Sequence, residues 1–227
     1  MFRDHGDTLL IDSGSKLNAK QRRHFDIVLP NVYYSGLLNR AHAVLLDSKA
    51  DWMLFICSDV MISDAGGFIS RFRETARNPS IGLIAPAIDR PCHHRQMQAR
   101  SFNRRRNVPF VDGYCVAVRK DVLGRVCPID TSINRIGWGI ETHLGYAAKR
   151  LGLSAVVDDA IRVAHPDGSG YGHTLARTQR TEYFRHIGLG LRFYWYLTDR
   201  WWMKNSIWDY VLKAIPWRIF GSRRIGK

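Results

Sequence analysis

Short apolar runs alternate with helically spaced segments along the first 165 residues of the chain. The runs are TLLI (8–11), DIVL (26–29), DWMLFIC (51–57), IGLIAPAI (81–88) and VDGYCVAV (111–118), with SAVVDDAIRVAHP (154–166) supplying one or two late strands. Between them, helices are expected over 17–24, 35–48, 65–77, RKDVLGRV (119–126) and 141–152, with Pro79 and Gly152 as stop signals. Residues 89–107 are polar and basic, with three arginines at 104–106, and are expected to form a loop. This alternation restricts the fold to an α/β layered class with helices on both faces of a mainly parallel sheet. Ligands of such sheets bind outside the carboxyl ends of the strands. Asp12 and Asp59 each stand at such an end, and one shared crevice is expected to hold both.

The pattern changes after residue 185. Five of the seven tryptophans follow it, and Lys and Arg outnumber acidic residues there by eight to two. A catalytic-type domain over 1–185 and a basic, aromatic-rich helical segment over 186–227 are expected. Aromatic and cationic side chains together suit an anionic membrane surface; the plain alternative is a pair of helices packing its tryptophans on the core. The net charge of +14 calls for an anionic partner, whether nucleic acid, lipid or a phosphate-bearing substrate. The four cysteines, Cys57, Cys92, Cys115 and Cys127, have no zinc-type spacing. Together with a start that lacks a long apolar stretch, they favour a reduced, cytoplasmic compartment, with peripheral contact at the inner face of a membrane through the basic tail.

Three stretches carry chemistry. Asp59, in Ser58-Asp59 at the tip of a core strand, is a hard oxygen donor suited to Mg²⁺ or Mn²⁺; the plain alternative is a turn or helix N-cap aspartate. In GWGIE (137–141), Trp138 stands between two glycines and can stack on a sugar ring. Glu141 in the first turn of the next helix is either a general base or a dipole-favoured carboxylate. His165, after an apolar strand and before a glycine-rich segment reaching His173, is either a metal ligand or a structural histidine.

The order and spacing of five segments resemble the family 2-like glycosyltransferases of the GT-A (nucleotide-diphospho-sugar transferase) fold, from about Thr8 to His165. LLIDSGS (9–15) is similar to the family's second strand with its nucleotide-contacting aspartate. The stretch from Asn31 to Ile62 resembles its helix leading into the acidic metal-binding motif. VDGYCVAVRKDVLGRV (111–126), GWGIE and AHP (164–166) resemble its glycine-containing strand, its acceptor-side W-G-x-E segment and its late metal-binding histidine. The resemblance implies that Asp12, Ser13, Asn39, Ser58 and Asp59 contact a nucleoside diphosphate sugar. It implies Mn²⁺ or Mg²⁺ on Asp59 and His165, an acceptor at Trp138 and Gly139, and Glu141 as the base of an inverting transfer to a glycan or lipid-linked acceptor. The chain departs from the pattern at Cys57, where an acidic or Asn residue is usual, and at Thr142, which leaves Glu141 without an acidic neighbour. No counterpart of the family's first strand precedes Thr8.

Rival classes are a sugar-nucleotide-binding protein without turnover, a nucleotidyltransferase and a basic nucleic-acid-binding protein. No glycine-rich phosphate loop supports the nucleotidyltransferase. No nucleic-acid motif accompanies the charge, and nucleic acid is not the expected partner.

Overall fold

The computed structural model describes residues 8–89, 94–100, 105–165 and 171–198. Cys92, Arg104 and the tryptophans beyond Trp195 lie outside the described residues. The chain opens with β1 (Ile11–Ser13) and α1 (Ala19–Arg22), the latter started by a capping box between Asn18 and Gln21. Next come β2 (Ile27–Leu29), α2 (Tyr33–Asp47) and β3 (Trp52–Ile56). α3 (Ala65–Ala76) begins at Asp64, whose Oδ1 accepts the Gly67 N–H at 3.0 Å, so the N-cap role weighed for Asp59 falls to Asp64. The chain continues through β4 (Ile81–Ile88), β5 (Arg105–Val108), β6 (Cys115–Arg119), α4 (Lys120–Leu123), α5 (Ile140–Arg150), β7 (Ser154–Val163), α6 (His173–Ile187) and α7 (Leu189–Trp195). Among the described residues, no helix is long and apolar enough to cross a membrane.

The main sheet has the order β3-β6-β4-β7-β5. Only β4 and β7 pair in parallel; β6 runs against both β3 and β4, and β5 runs against β7. The sheet is therefore mixed, not mainly parallel. A strand buried on both sides reads as a continuous apolar run in either orientation, so the sequence pattern carries no information about direction. β4 is buried at all eight positions, with α3 and α5 both in contact with it. Two faces are thus covered, as an α/β layered fold requires.

Residues 105–107, expected at the end of a loop, instead begin an edge strand that runs to Val108. Their stability comes from charge pairing and not from apolar burial. The Arg106 guanidinium is buried and forked onto Asp159 of β7, with Nε to Oδ2 at 2.6 Å and Nη2 to Oδ1 at 2.9 Å. Arg106 also donates to the Gln96 and Gln98 carbonyls. Beside it, Arg105 and Arg71 converge on the buried Asp158, with Nε donors at 3.2 and 2.9 Å, and both reach Glu74. This network ties α3, β5 and β7 together. Arg105 and Arg106 are consumed by it and do not form a free basic surface.

β1 and β2 form a separate parallel pair. Helix α2 packs against both β1 and β3. Its start is held by the Val32 N–H donating to Ser13 Oγ and by the Tyr34 ring against Phe55. Its end is held by Lys120, whose Nζ donates to Leu46 and Ser48 carbonyls while its N–H donates to Asp51. Helix α2 thus links the β1–β2 pair to the β3 edge of the main sheet. No strand joins β1 to β3 among the described residues. Antiparallel alternation directs the backbone groups of Trp52, Leu54 and Ile56 away from β6. All five residues of β3 stay half-buried.

Helix α6 was not foreseen and crosses the boundary drawn at 185. It packs on α5 through His143 Nδ1 and the Tyr183 hydroxyl at 2.7 Å. α7 packs on α5 in turn, with Tyr194 against Tyr146 and its hydroxyl donating to the Pro109 carbonyl. Residues 186–198 thus belong to the packed body, and Trp195 lies against Phe184 at 5.5 Å.

Candidate active site

β3, β4 and β7 share a direction, and the site lies beyond their carboxyl ends. The chain leaving β3 turns sharply, with the Val60 N–H donating to the Cys57 carbonyl at 3.2 Å, and this turn presents Ser58 and Asp59 to solvent. A two-way bridge between Met61 and Ala164 fastens that turn to the end of β7. The bridge brings His165 Nε2 to 3.3 Å from Asp59 Oδ2. The His165 ring stacks on Tyr114 at 4.7 Å, and the Tyr114 carbonyl accepts the Cys57 N–H. Two side chains 106 positions apart thus meet at one corner of the sheet.

The Gly137-Trp138-Gly139 segment lies near this corner, linked to β3 through Tyr34, whose ring meets both Gly137 and Phe55. Both glycines have positive φ, 102° and 91°. A Cβ on Gly137 would lie 2.6 Å from the Tyr34 ring, and one on Gly139 would lie 2.7 Å from the Phe184 ring. The backbone conformation and the close packing both exclude side chains here. Gly137→Ala is expected to cost about 2 kcal/mol or more of stability by denaturant titration, from the left-handed backbone and the displaced Tyr34 together. Asn134 braces the segment, accepting the Gly137 N–H and donating to the Trp138 carbonyl. Trp138 donates from its ring nitrogen to the Tyr171 hydroxyl at 2.9 Å, and Arg180 lies over its ring at 5.9 Å.

Glu141 sits in the first turn of α5. Its two carboxylate oxygens accept the Gly139 N–H at 3.1 and 3.0 Å, so it caps the helix and is fixed in place. Burial first, and the nearby Asp112 second, push its carboxyl up to about 7. The helix-terminal N–H groups oppose this shift without cancelling it. Burial pushes the Cys57 thiol up to about 12, and the Asp59 and Asp112 charges add to it. Cys57, Asp112 and Glu141 therefore form one electrostatic neighbourhood, with Asp59 acting on Cys57. Tyr34 belongs to it: its hydroxyl donates to the Gly113 carbonyl at 3.3 Å, and burial, Cys57 and Glu141 hold it protonated.

The remaining expected residues are placed differently. Asp12, expected just past a strand over 8–11, is instead the middle residue of β1, buried, with Oδ2 accepting the Ser15 N–H at 3.3 Å. Ser13 uses its hydroxyl on the Pro30 carbonyl and the Val32 N–H. Asn39 spends both ends of its amide on the Ile129 backbone, at 2.8 and 2.7 Å. No contact joins Asp12, Ser13 or Asn39 to Asp59, Glu141 or His165. Asp112, Tyr34, Tyr171 and Arg180 were not foreseen. The only sequence signal for Asp112 was an acidic residue directly before Gly113, which reads equally well as a turn.

Asp59 and His165 supply one oxygen and one nitrogen. Their 3.3 Å separation is close to the roughly 3 Å between adjacent ligands of an octahedral ion with bonds near 2.1 Å. An N,O pair suits Mn²⁺ or another borderline ion better than Mg²⁺. Among the described residues, no group of three or more His, Cys, Asp or Glu gathers around a metal position. The pair fits a metal that draws its other ligands from water and phosphate oxygens.

No model of a known protein family matches the chain, and a comparison with curated proteins finds no match either.

Proposed function

We propose that the chain is a metal-dependent glycosyltransferase of GT-A type, transferring a sugar from a nucleoside diphosphate sugar to an acceptor hydroxyl with inversion. The observation that carries this reading is the meeting of Asp59 and His165 across 3.3 Å beyond the carboxyl ends of β3 and β7. Asp59 and His165 would hold Mn²⁺ or Mg²⁺. A bound divalent ion supplies Lewis-acid neutralisation of charge on the departing diphosphate. Trp138 offers a ring face to the acceptor sugar, held in place by Tyr171 and Arg180. Glu141 takes the proton of the attacking hydroxyl, and a carboxyl titrating near 7 is matched to that task. The Gly139 N–H aims its oxygens, and Asp112 keeps its basicity high. Asp12, within β1, would contact the base or ribose.

The metal assignment is tested by calorimetry of Mn²⁺ and UDP or GDP binding. Asp59→Ala and His165→Ala are each expected to weaken metal-dependent nucleotide binding by about tenfold or more. Equal affinities with and without Mn²⁺ in the unaltered protein would remove the metal from the reading. A donor screen with Mn²⁺ that shows binding to UDP- or GDP-sugars but neither transfer nor hydrolysis would favour the non-catalytic sugar-nucleotide binder.

A further inference from the structure

Helix α7 and the turn that follows it are apolar on two faces. Leu191, Tyr194 and Thr198 point inward at helical spacing and are buried against the body. Leu189, Phe193, Tyr196 and Leu197 repeat at the same spacing on the outer side, with Leu189 77% and Phe193 64% exposed. A surface helix normally turns a polar face to water, so a second apolar face implies a second apolar neighbour. A groove of about 490 Å³ lies between α6 and α7, lined by Phe184, Leu189 and Phe193 together with Arg180, Arg185 and Arg192. Over residues 173–198 there are four arginines and one acidic residue, Glu182, which pairs with Arg185 at 2.5 Å.

We propose that the α6–α7 face docks on an anionic phospholipid bilayer. Leu189 and Phe193 enter the acyl boundary, while Arg180, Arg185 and Arg192 meet lipid phosphates around the groove. Three considerations select a membrane. The exposed apolar side chains and the arginines lie on one surface, the arrangement that interfacial binding requires. The excess of cations complements anionic headgroups, each contributing when it lies within a Debye length of the surface. A second copy of the chain would bring the same arginines against themselves, and like charges oppose that contact. The inference does not depend on the transferase reading. The two are nevertheless adjacent: Arg180 lies over Trp195 at 5.1 Å and over Trp138 at 5.9 Å, and Phe184 closes on Gly139. Docking on this face would bring the GWGIE wall close to the bilayer.

The test is co-sedimentation of the full chain with phosphatidylcholine vesicles, with and without about one-third phosphatidylglycerol. Binding is expected to the anionic vesicles, to weaken as salt is raised, and to fall by about tenfold or more in Leu189→Ser/Phe193→Ser. Arg185→Glu/Arg192→Glu is expected to cause a similar loss. All four positions are exposed, and circular dichroism of each variant checks that the fold is kept. Equal binding to the neutral vesicles, or full binding by the Ser variant, would overturn the proposal. So would a dimer that the Ser substitutions dissolve in the absence of lipid, which would assign the face to a second copy. Displacement of the vesicles by a single-stranded oligonucleotide at lower concentration would assign it to nucleic acid.

Discussion

Glu141→Gln is expected to lower sugar transfer by about 10²–10⁴-fold and to leave nucleotide binding near its original strength. Glutamine keeps the size and an oxygen to accept the Gly139 N–H, so the wall should stay in place and only the proton acceptor is lost. In the unaltered protein, transfer should fall as pH drops below about 7, the value to which burial and Asp112 raise the carboxyl. Stability should move the opposite way. The carboxyl titrates near 4.5 when unfolded and near 7 when folded, so between those values the folded chain holds the extra proton. Its contribution is complete below pH 4.5 and is lost as pH rises through 7. At 1.36 kcal/mol per pH unit, the displacement from 4.5 to about 7 corresponds to about 3 kcal/mol. Glu141→Gln removes that loss, so at pH 8 the variant should be inactive yet more stable than the parent. A variant that retains transfer while losing stability would reduce Glu141 to a helix cap.

Asp159→Ala should destabilise the fold by about 3–5 kcal/mol, a large part of the roughly 5–15 kcal/mol that holds a typical domain together. The loss comes from stranding the Arg106 guanidinium, which is buried with its fork on Asp159. It also frees the Arg100 N–H, which Asp159 Oδ1 accepts at 3.2 Å. Urea titration measures the change directly. Replacing both partners, as Arg106→Met with Asp159→Leu, should recover part of the loss, because no charge is then left behind. Recovery should stop short of completion, since the Gln96 and Gln98 carbonyls lose their donor. A cost below about 1 kcal/mol for Asp159→Ala would mean that water reaches the pair.

These two residues also mark how far the sequence could be read. β3, β4 and β6 were visible because each is a continuous apolar run, and α2, α3 and α5 because their apolar residues repeat at helical spacing. β5 was invisible. Arg-Arg-Asn-Val reads as surface, and what makes it a strand is a pair of aspartates on β7 more than 50 positions later. Strand direction was hidden for a different reason, since burial on both faces erases the alternation that would reveal it. α6 carries only three buried residues in fifteen, too few to signal a helix against its polar background. At the candidate site, Asp59, His165 and Glu141 were singled out through the order of the segments around them, and the fold brings Asp59 and His165 together. Asp112 was missed because its effect is a field on its neighbours, which no local pattern displays. Asn39 and Ser13 are polar residues at suggestive positions whose hydrogen bonds go to the backbone around them.

The interruption between β1 and β3 bears on how the protein will behave in a tube. Among the described residues, Trp52, Leu54 and Ile56 present a row of outward N–H and C=O groups along an apolar border, without the lysine, proline or bulge that usually guards such a border. Two molecules meeting along that border can knit their sheets into one, and the tendency grows with concentration and with the time spent partly unfolded. Purification at low concentration, and a lysine in place of Leu54 when yields are poor, follow from the arrangement of the strands alone.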